Sequence, residues 1–192
     1  MPEEKPRCEW CLKDQLYRDY HDKEWGIPQY DNKKLFELLI LEGAQAGLSW
    51  HTVLKKRESY RQAFEQWDIE KIARYDDAKK AELLNNPGII RNRLKIAATI
   101  SNAQAYLKMQ ENGEGFSEFI WSFTAGKPIV NHFNSLNELP AKTTLSDKMS
   151  KALKQKGFRF VGSTICYAFM QAAGLVDDHM LYCWKRSTNQ SG

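Results

Sequence analysis

The chain has 192 residues, of which 42% are hydrophobic and 27% charged; these are globular values that exclude a disordered or fibrous chain and suit one domain with a real core. A net charge of +4 is compatible with a polyanionic partner, but is no evidence for one unless the charge is clustered. No apolar run approaches the roughly 18 residues a membrane span needs, and the opening Met-Pro-Glu-Glu-Lys-Pro-Arg lacks an apolar signal core, so a cytoplasmic location with reduced cysteines is expected.

In chain order, residues 8–30 are rich in aromatics (Trp10, Tyr17, Tyr20, Trp25, Tyr30) and read as irregular. Asp31 and Asn32 are capping types that open a helix from Lys33 to about Ala46. Ser49 caps a second helix running to about Phe64, and Asp68 and Asp76 each start a short one. Asn86-Pro87-Gly88 is a break. Apolar residues then recur at helical spacing (Ile89, Ile90, Leu94, Ala97, Ile100, Ala103, Leu107), which predicts one long helix from Ile89 to Met109. Phe116 to Phe123 is a short aromatic helix; residues 125–145 are loop-like, with Ile129-Val130 too short a strand to matter. Ser146 caps a helix to Lys156, and Gly157 stops it. Residues 157–162 make a tight connection, and Ser163 or Thr164 restarts a helix through Ala173, ended by Gly174. The class is all-α, as a single domain over residues 1–192 with flexible ends at 1–7 and 185–192.

The stretch from Leu41 to Trp50 (Leu-Glu-Gly-Ala-Gln-Ala-Gly-Leu-Ser-Trp) places a carboxylate, two glycines, an apolar knob and an indole within one helix-to-helix turn. Glycines let backbone approach a ligand closely, and a carboxylate beside a large aromatic is a combination a pocket can use. A plainer reading has Gly47 ending one helix, Ser49 capping the next and Trp50 in the core. Trp10, Tyr17, Tyr20 and Trp50 could join Glu42 to sandwich a base, since aromatic faces stack on bases and attract cations.

Metal candidates lie at both ends: Cys8-x2-Cys11 and His21 near one, His179-x3-Cys183 near the other. Thiolates and imidazoles in a tetrahedron describe a closed zinc site that would staple the termini. The spacing favours Cys8, Cys11, His179 and Cys183; the alternative is Cys8, His21, His179 and Cys183. Near the C-terminal helices, Lys148, Lys151, Lys154, Lys156 and Arg159 put five cations into twelve residues around Gly157 to Gly162. A helix, a glycine-flanked hairpin and a second helix have the shape of a helix–hairpin–helix, which presents backbone N–H groups and a helix N-terminus to a nucleic-acid phosphate. A solvated basic face would look the same.

Together these residues resemble the bacterial 3-methyladenine DNA glycosylase I family, over nine-tenths of the chain from Cys8 to Cys183. The resemblance is carried by Tyr20-His21-Asp22-Lys23-Glu24-Trp25-Gly26, by Leu41 to Trp50, by Gly88-Ile89-Ile90-Arg91 and by Trp121-Ser122-Phe123. Lys156 to Gly162, Ile165-Cys166-Tyr167 and Gln171-Ala172 complete it. It implies a divergent helix–hairpin–helix glycosylase fold and one structural zinc held by Cys8, His21, His179 and Cys183, which leaves Cys11 out. It puts the base pocket at Glu42, Tyr20 and Trp50, lined by Trp10 and Tyr17, with Glu42 as the catalytic candidate. Gln45, Gly47 and Leu48 fall at the DNA interface where the flipped base leaves its gap. Lys156, Gly157, Arg159, Gly162, Ser163 and Thr164 follow as phosphate-side contacts. The implied partners are double-stranded alkylated DNA and the released base, with a monomer as default.

Many helix–hairpin–helix glycosylases carry an aspartate on the helix after the hairpin, whereas Ser163 to Ala173 contains neither acid nor lysine. Hydrolysis without strand cleavage is therefore expected. A zinc-stapled DNA-binding module without catalysis is the competing reading, but it leaves Glu42 among aromatics unexplained. A thiol-redox protein built on Cys8-x2-Cys11 is disfavoured, because that motif lies in no βαβ pattern. His51, His132 and Cys166 are assigned no role and are expected at the surface, in a loop and in the core.

Overall fold

The computed structural model describes residues 3–187 and is mostly helical. In order the helices are α1 (Gln15–Lys23), α2 (Asn32–Ala44), α3 (Trp50–Lys55), α4 (Arg57–Ala63), α5 (Ile69–Ala73) and α6 (Asp77–Leu84). There follow α7 (Arg93–Glu111), α8 (Phe116–Ser122), α9 (Thr144–Gln155) and α10 (Ser163–Ala172). Most starts are written in the sequence: Asp14, Asp31, Ser49, Asp68, Asp76, Asn92 and Thr143 each accept a hydrogen bond from the N–H three residues on.

The central element is α2. Its Leu35, Phe36, Leu39, Ile40 and Leu41 are buried, and it packs against α3, α7, α8 and α10. Ile96, Ile100 and Ala103 of α7, Ile120 and Trp121 of α8, and Phe169 and Met170 of α10 close the main core around it. A second apolar cluster joins the chain ends through Cys8, Tyr20, Trp25, Leu54, Ala172, Met180 and Cys183.

Several elements differ from the sequence reading. Residues 8–30 are not irregular: Asp14 caps α1, whose Tyr17, Tyr20 and His21 fall on one face. That face is aromatic and polar rather than aliphatic, so it left no ordinary hydrophobic period. The helix from Ser49 breaks at Lys56 into α3 and α4. The long helix begins at Arg93, because Asn92 supplies the cap while the Ile90 N–H donates to the Tyr60 hydroxyl at 3.2 Å. Thr143 rather than Ser146 caps α9; Ser146 is the reciprocal partner in a capping box. The two-residue strand β1 (Ile129–Val130) does matter, since it pairs in parallel with β2 (Val176–Asp177). Of the ends expected to be flexible, residues 1–2 and 188–192 lie outside the described residues. Further in, Arg7 makes an ion pair with Asp22, and the Trp184 N–H donates to the Pro6 carbonyl at 2.9 Å.

The connection between α9 and α10 is held from two sides. Asn102 of α7 accepts from the Arg159 N–H at 2.8 Å and donates to the Arg159 carbonyl at 3.0 Å. On the α2 side, a Cβ at Gly43 would lie 3.2 Å from the Phe160 carbonyl oxygen, so the helix and the connection meet backbone to backbone.

Candidate active site

A cavity of about 270 Å³ opens beside α2. Trp10, Tyr17, Tyr20, Trp25 and Trp50 wall it, Glu42 and Gln45 enter from α2, and Ala168 and Gln171 from α10. Leu136 and Leu139 complete it from the segment that β1 pins near the chain end. The aromatic walls support one another: Trp10 lies 5.3 Å from Tyr17 and 5.0 Å from Trp25 between ring centroids, and Tyr20 lies 5.5 Å from Trp50. Such edge and tilted contacts hold the rings as plates around the space.

Among the described residues Glu42 is the one acid in this wall, and it is 3% exposed. It follows Leu39 to Leu41 in a buried run, so α2 carries it inward with its apolar neighbours. Burial raises its pKa from 4.5 to about 8. Its Oε2 and the Trp50 Nε1 are both buried without a hydrogen-bond partner among the described residues. Buried polar groups are normally paired, so two orphans on one cavity wall need a reason. Burial, and then Glu42 itself, also push the Tyr20 phenol well above its usual range, which keeps its proton available as a donor. His51, expected at the surface, is buried instead; it bonds Asp14 at 2.5 Å and packs 4.7 Å from the Tyr17 ring. Nothing in the sequence near His51 marked this, because Asp14 is 37 residues away.

Next to the cavity, three of the four metal candidates of the second ligand set converge, and the fourth, His179, lies beside them. The ligand atoms of Cys8, His21 and Cys183 lie within 4.8 Å of one another, all buried. The His179 ring stands 5.1 Å from that of His21, and its Nε2 is buried and unpartnered. Each histidine has its Nδ1 held by a carboxylate: His21 by Asp22 at 2.8 Å, His179 by Asp177 at 2.7 Å. That leaves both Nε2 atoms for the cluster, the arrangement in which outer carboxylates orient metal-binding imidazoles. A hydrogen bond from Cys8 holds the Cys183 thiol below its usual range against burial, helped by His21. Gly26 (φ +77°) sits so close that a Cβ would lie 2.6 Å from the His179 ring. Cys11 is buried but donates to the Cys8 carbonyl at 3.1 Å, outside the group.

The expected DNA-side residues divide. Gln45 reaches the cavity, Gly47 adopts φ +79° with nothing near a hypothetical Cβ, and Leu48 is 44% exposed. Gly157 (φ +95°), Arg159 and Thr164 are exposed around the connection. Gly162 is the N-cap of α10 and has no side-chain cap. Ser163 is tied to Asp147 at 2.5 Å and to Ser146 at 2.8 Å. Lys156 is ion-paired with Glu114, so its charge is shared within the chain.

The fold and cavity define a helical protein with a slot for a flat, polarisable ligand beside one buried acid. The methyladenine glycosylase family model matches residues 10–186, and the chain belongs to that family. DNA-3-methyladenine glycosylase 1 of Escherichia coli (strain K12) is 55% identical over 177 residues, covering 92% of this chain and 95% of that protein. A crystal structure of 3-methyladenine DNA glycosylase I superposes with a TM-score of 0.93 at 54% identity, covering 94% of this chain and 100% of that one. A structure showing 3-methyladenine recognition by the Staphylococcus aureus enzyme gives 0.90 at 39% identity, covering 94% and 96%.

Proposed function

We propose that the protein is a DNA-repair glycosylase that hydrolyses the N-glycosidic bond of 3-methyladenine in alkylated double-stranded DNA. The family membership supports the reaction class, and the observation that carries the substrate is Glu42, buried and unsatisfied in an aromatic cavity. A base inside a duplex cannot be reached, so it must be turned out into a pocket. Methylation at N3 makes the nucleotide's adenine cationic. A carboxyl group whose ionisation is opposed by burial is ionised most readily when a cation arrives beside it, so Glu42 and the five rings favour the damaged base over neutral adenine.

A cationic base is already a good leaving group. As the glycosidic bond breaks, its electron pair neutralises the base, and water captures the oxocarbenium-like sugar carbon. Glu42 holds the base edge as acceptor, Tyr20 donates or stacks, and Trp50, Trp10 and Tyr17 keep water out. Among the described residues no lysine lines the cavity, which supports hydrolysis without β-elimination of the strand. Leu48, flanked by Gln45 and Gly47, enters the gap left by the base. The α9–α10 connection acts as the helix–hairpin–helix element: Gly157, Gly162, Ser163 and Thr164 offer backbone to phosphate, Arg159 supplies charge, and Lys156 adds to it by exchanging its partner Glu114 for a phosphate.

One structural zinc, in this reading, is held by Cys8, His21, His179 and Cys183. The orphaned Nε2 of His179 and the carboxylate-held rings support that set. The metal would tie the chain ends together behind the pocket, since Trp10 lies between Cys8 and Cys11 and Tyr20 next to His21. A monomer and a cytoplasmic location belong to the same reading. Among the described residues no helix is long and apolar enough to cross a membrane.

The deciding measurement is release of free base from methylated duplex DNA, resolved by chromatography, for wild type and Glu42→Gln at matched zinc content. Release of 3-methyladenine by wild type with a much slower mutant supports the reading. Equal release by both would move the pocket elsewhere, and no release by either would leave a DNA-binding module.

A further inference from the structure

Past α10 the chain buries a further acid, Asp178, at 1% exposure. It is outside the cavity wall, and three donors converge on it: the Asn131 amide at 2.7 Å, the Gln171 amide at 2.9 Å and the Tyr167 hydroxyl. Asn131 arrives there because β1 pairs with β2 just before it. Of the three, only Gln171 also lines the cavity. A carboxylate can only accept, so the Gln171 side chain must turn its nitrogen to Asp178. Among the described residues no donor is bonded to Gln171 Oε1, and this is the atom left for a ligand.

We infer that Gln171 is a specificity-determining residue, held by Asp178 with its oxygen available to the bound base, and that it selects the amine-bearing edge of an N3-methylated adenine over the carbonyl-bearing edge of an N3-methylated guanine. An unheld glutamine would serve either edge, because its amide can rotate to offer a donor or an acceptor. Three donors on Asp178 remove that choice. A carbonyl brought to Gln171 Oε1 faces a second acceptor with no proton between them, whereas an amine finds a partner. Sites built to hydrogen-bond one group reject analogues lacking it far more strongly than apolar sites do. Asp178 touches no substrate and is a positioning residue. The inference rests on the glycosylase reading above.

The test uses one substrate, duplex DNA methylated so that it carries both 3-methyladenine and 3-methylguanine, with the release rate of each base read from the same digest. Gln171→Met keeps the length of a half-buried side chain and removes its polar atoms. The expected result is a fall of about tenfold or more in the 3-methyladenine to 3-methylguanine release ratio, the size of one lost discriminating hydrogen bond. Asp178→Asn should lower the same ratio with Gln171 intact, because the amide is then free to turn, and its melting temperature checks that the core survives. A ratio unchanged in Gln171→Met, or both rates lowered equally, overturns the specificity role. A ratio lost in Gln171→Met but kept in folded Asp178→Asn overturns the positioning role. Wild type that releases neither base instead sinks the glycosylase reading itself.

Discussion

The aromatic cavity and the α9–α10 connection are built on different rules. In the connection, the Arg159 N–H and carbonyl pair with Asn102, and Ser163 at its end pairs with Asp147 and Ser146 of the first turn of α9. In the cavity, Glu42 Oε2 and Trp50 Nε1 are buried without a hydrogen-bond partner among the described residues. In the proposed reading the connection meets a sequence-independent phosphate backbone, and its bonds to Asn102 fix its shape while the uncapped start of α10 keeps N–H groups for phosphate. A pocket that must tell one base from another keeps its polar atoms unspent until the ligand arrives. In that reading the orphans lie where the base is recognised, and the bonded loop is the braced side.

The largest effect should come from breaking the cavity. Glu42→Gln should slow base release about 10²-fold, the cost of removing one electrostatic partner of a developing charge. Its pH behaviour sharpens the point. Release by wild type should rise with pH towards about 8 as Glu42 ionises, and the mutant should lose that rise.

Stability should move the other way. Because the folded pKa of Glu42 lies above its ordinary value of 4.5, the ionisation penalty of its burial is absent well below pH 4.5, where both states are protonated, grows as pH rises past 4.5 and is full above pH 8. Glu42→Gln should therefore be more stable than wild type above pH 8, by on the order of 5 kcal/mol less the cost of burying an amide. The difference should vanish near pH 4. Chemical denaturation at both ends of that range checks it, and an advantage that grows towards low pH would contradict the assignment.

For the proposed metal, Cys183→Ser should lose bound zinc by atomic absorption and lower the melting temperature by about 10 °C, as a stabilising ligand worth a few kcal/mol would. Cys11→Ser should keep its zinc. Loss of zinc from Cys11→Ser would return the ligand set to the Cys8-x2-Cys11 pair.

The smaller effects probe the braced side. Asn102→Ala strands the Arg159 N–H and carbonyl, and should cost about 1–3 kcal/mol of stability. Its weakening should appear in abasic-DNA affinity, with free-base binding kept. Leu48→Ala should lower abasic-DNA affinity by about tenfold by the same split, since burial of one leucine side chain is worth about 1.5–3 kcal/mol. Equal losses in DNA and free-base binding would erase the distinction between the two regions.

Much of this was legible in the chain itself. Asp31, Asp68 and Asp76 announced their helices because a cap is a local hydrogen bond between neighbours three residues apart. The all-α class followed from helical periodicity, which is equally local, and the run from Leu41 to Trp50 placed a carboxylate and an indole together because one turn suffices to do so. By contrast, α1 was hidden by its aromatic face, and the break at Lys56 left no punctuation. Spacing alone favoured Cys11 over His21, although the buried group is Cys8, His21 and Cys183.

What tertiary structure alone decided are the meetings between distant residues. Leu136, Leu139, Ala168 and Gln171 enter a cavity whose first wall is Trp10; His51 reaches Asp14; and a two-residue strand brings Asn131 to Asp178. Such contacts depend on how packed helices close the core, and short-range pattern cannot encode them. The chain determined its helices, its caps and the chemistry available to it, while folding decided which of those groups would face the aromatic-walled cavity.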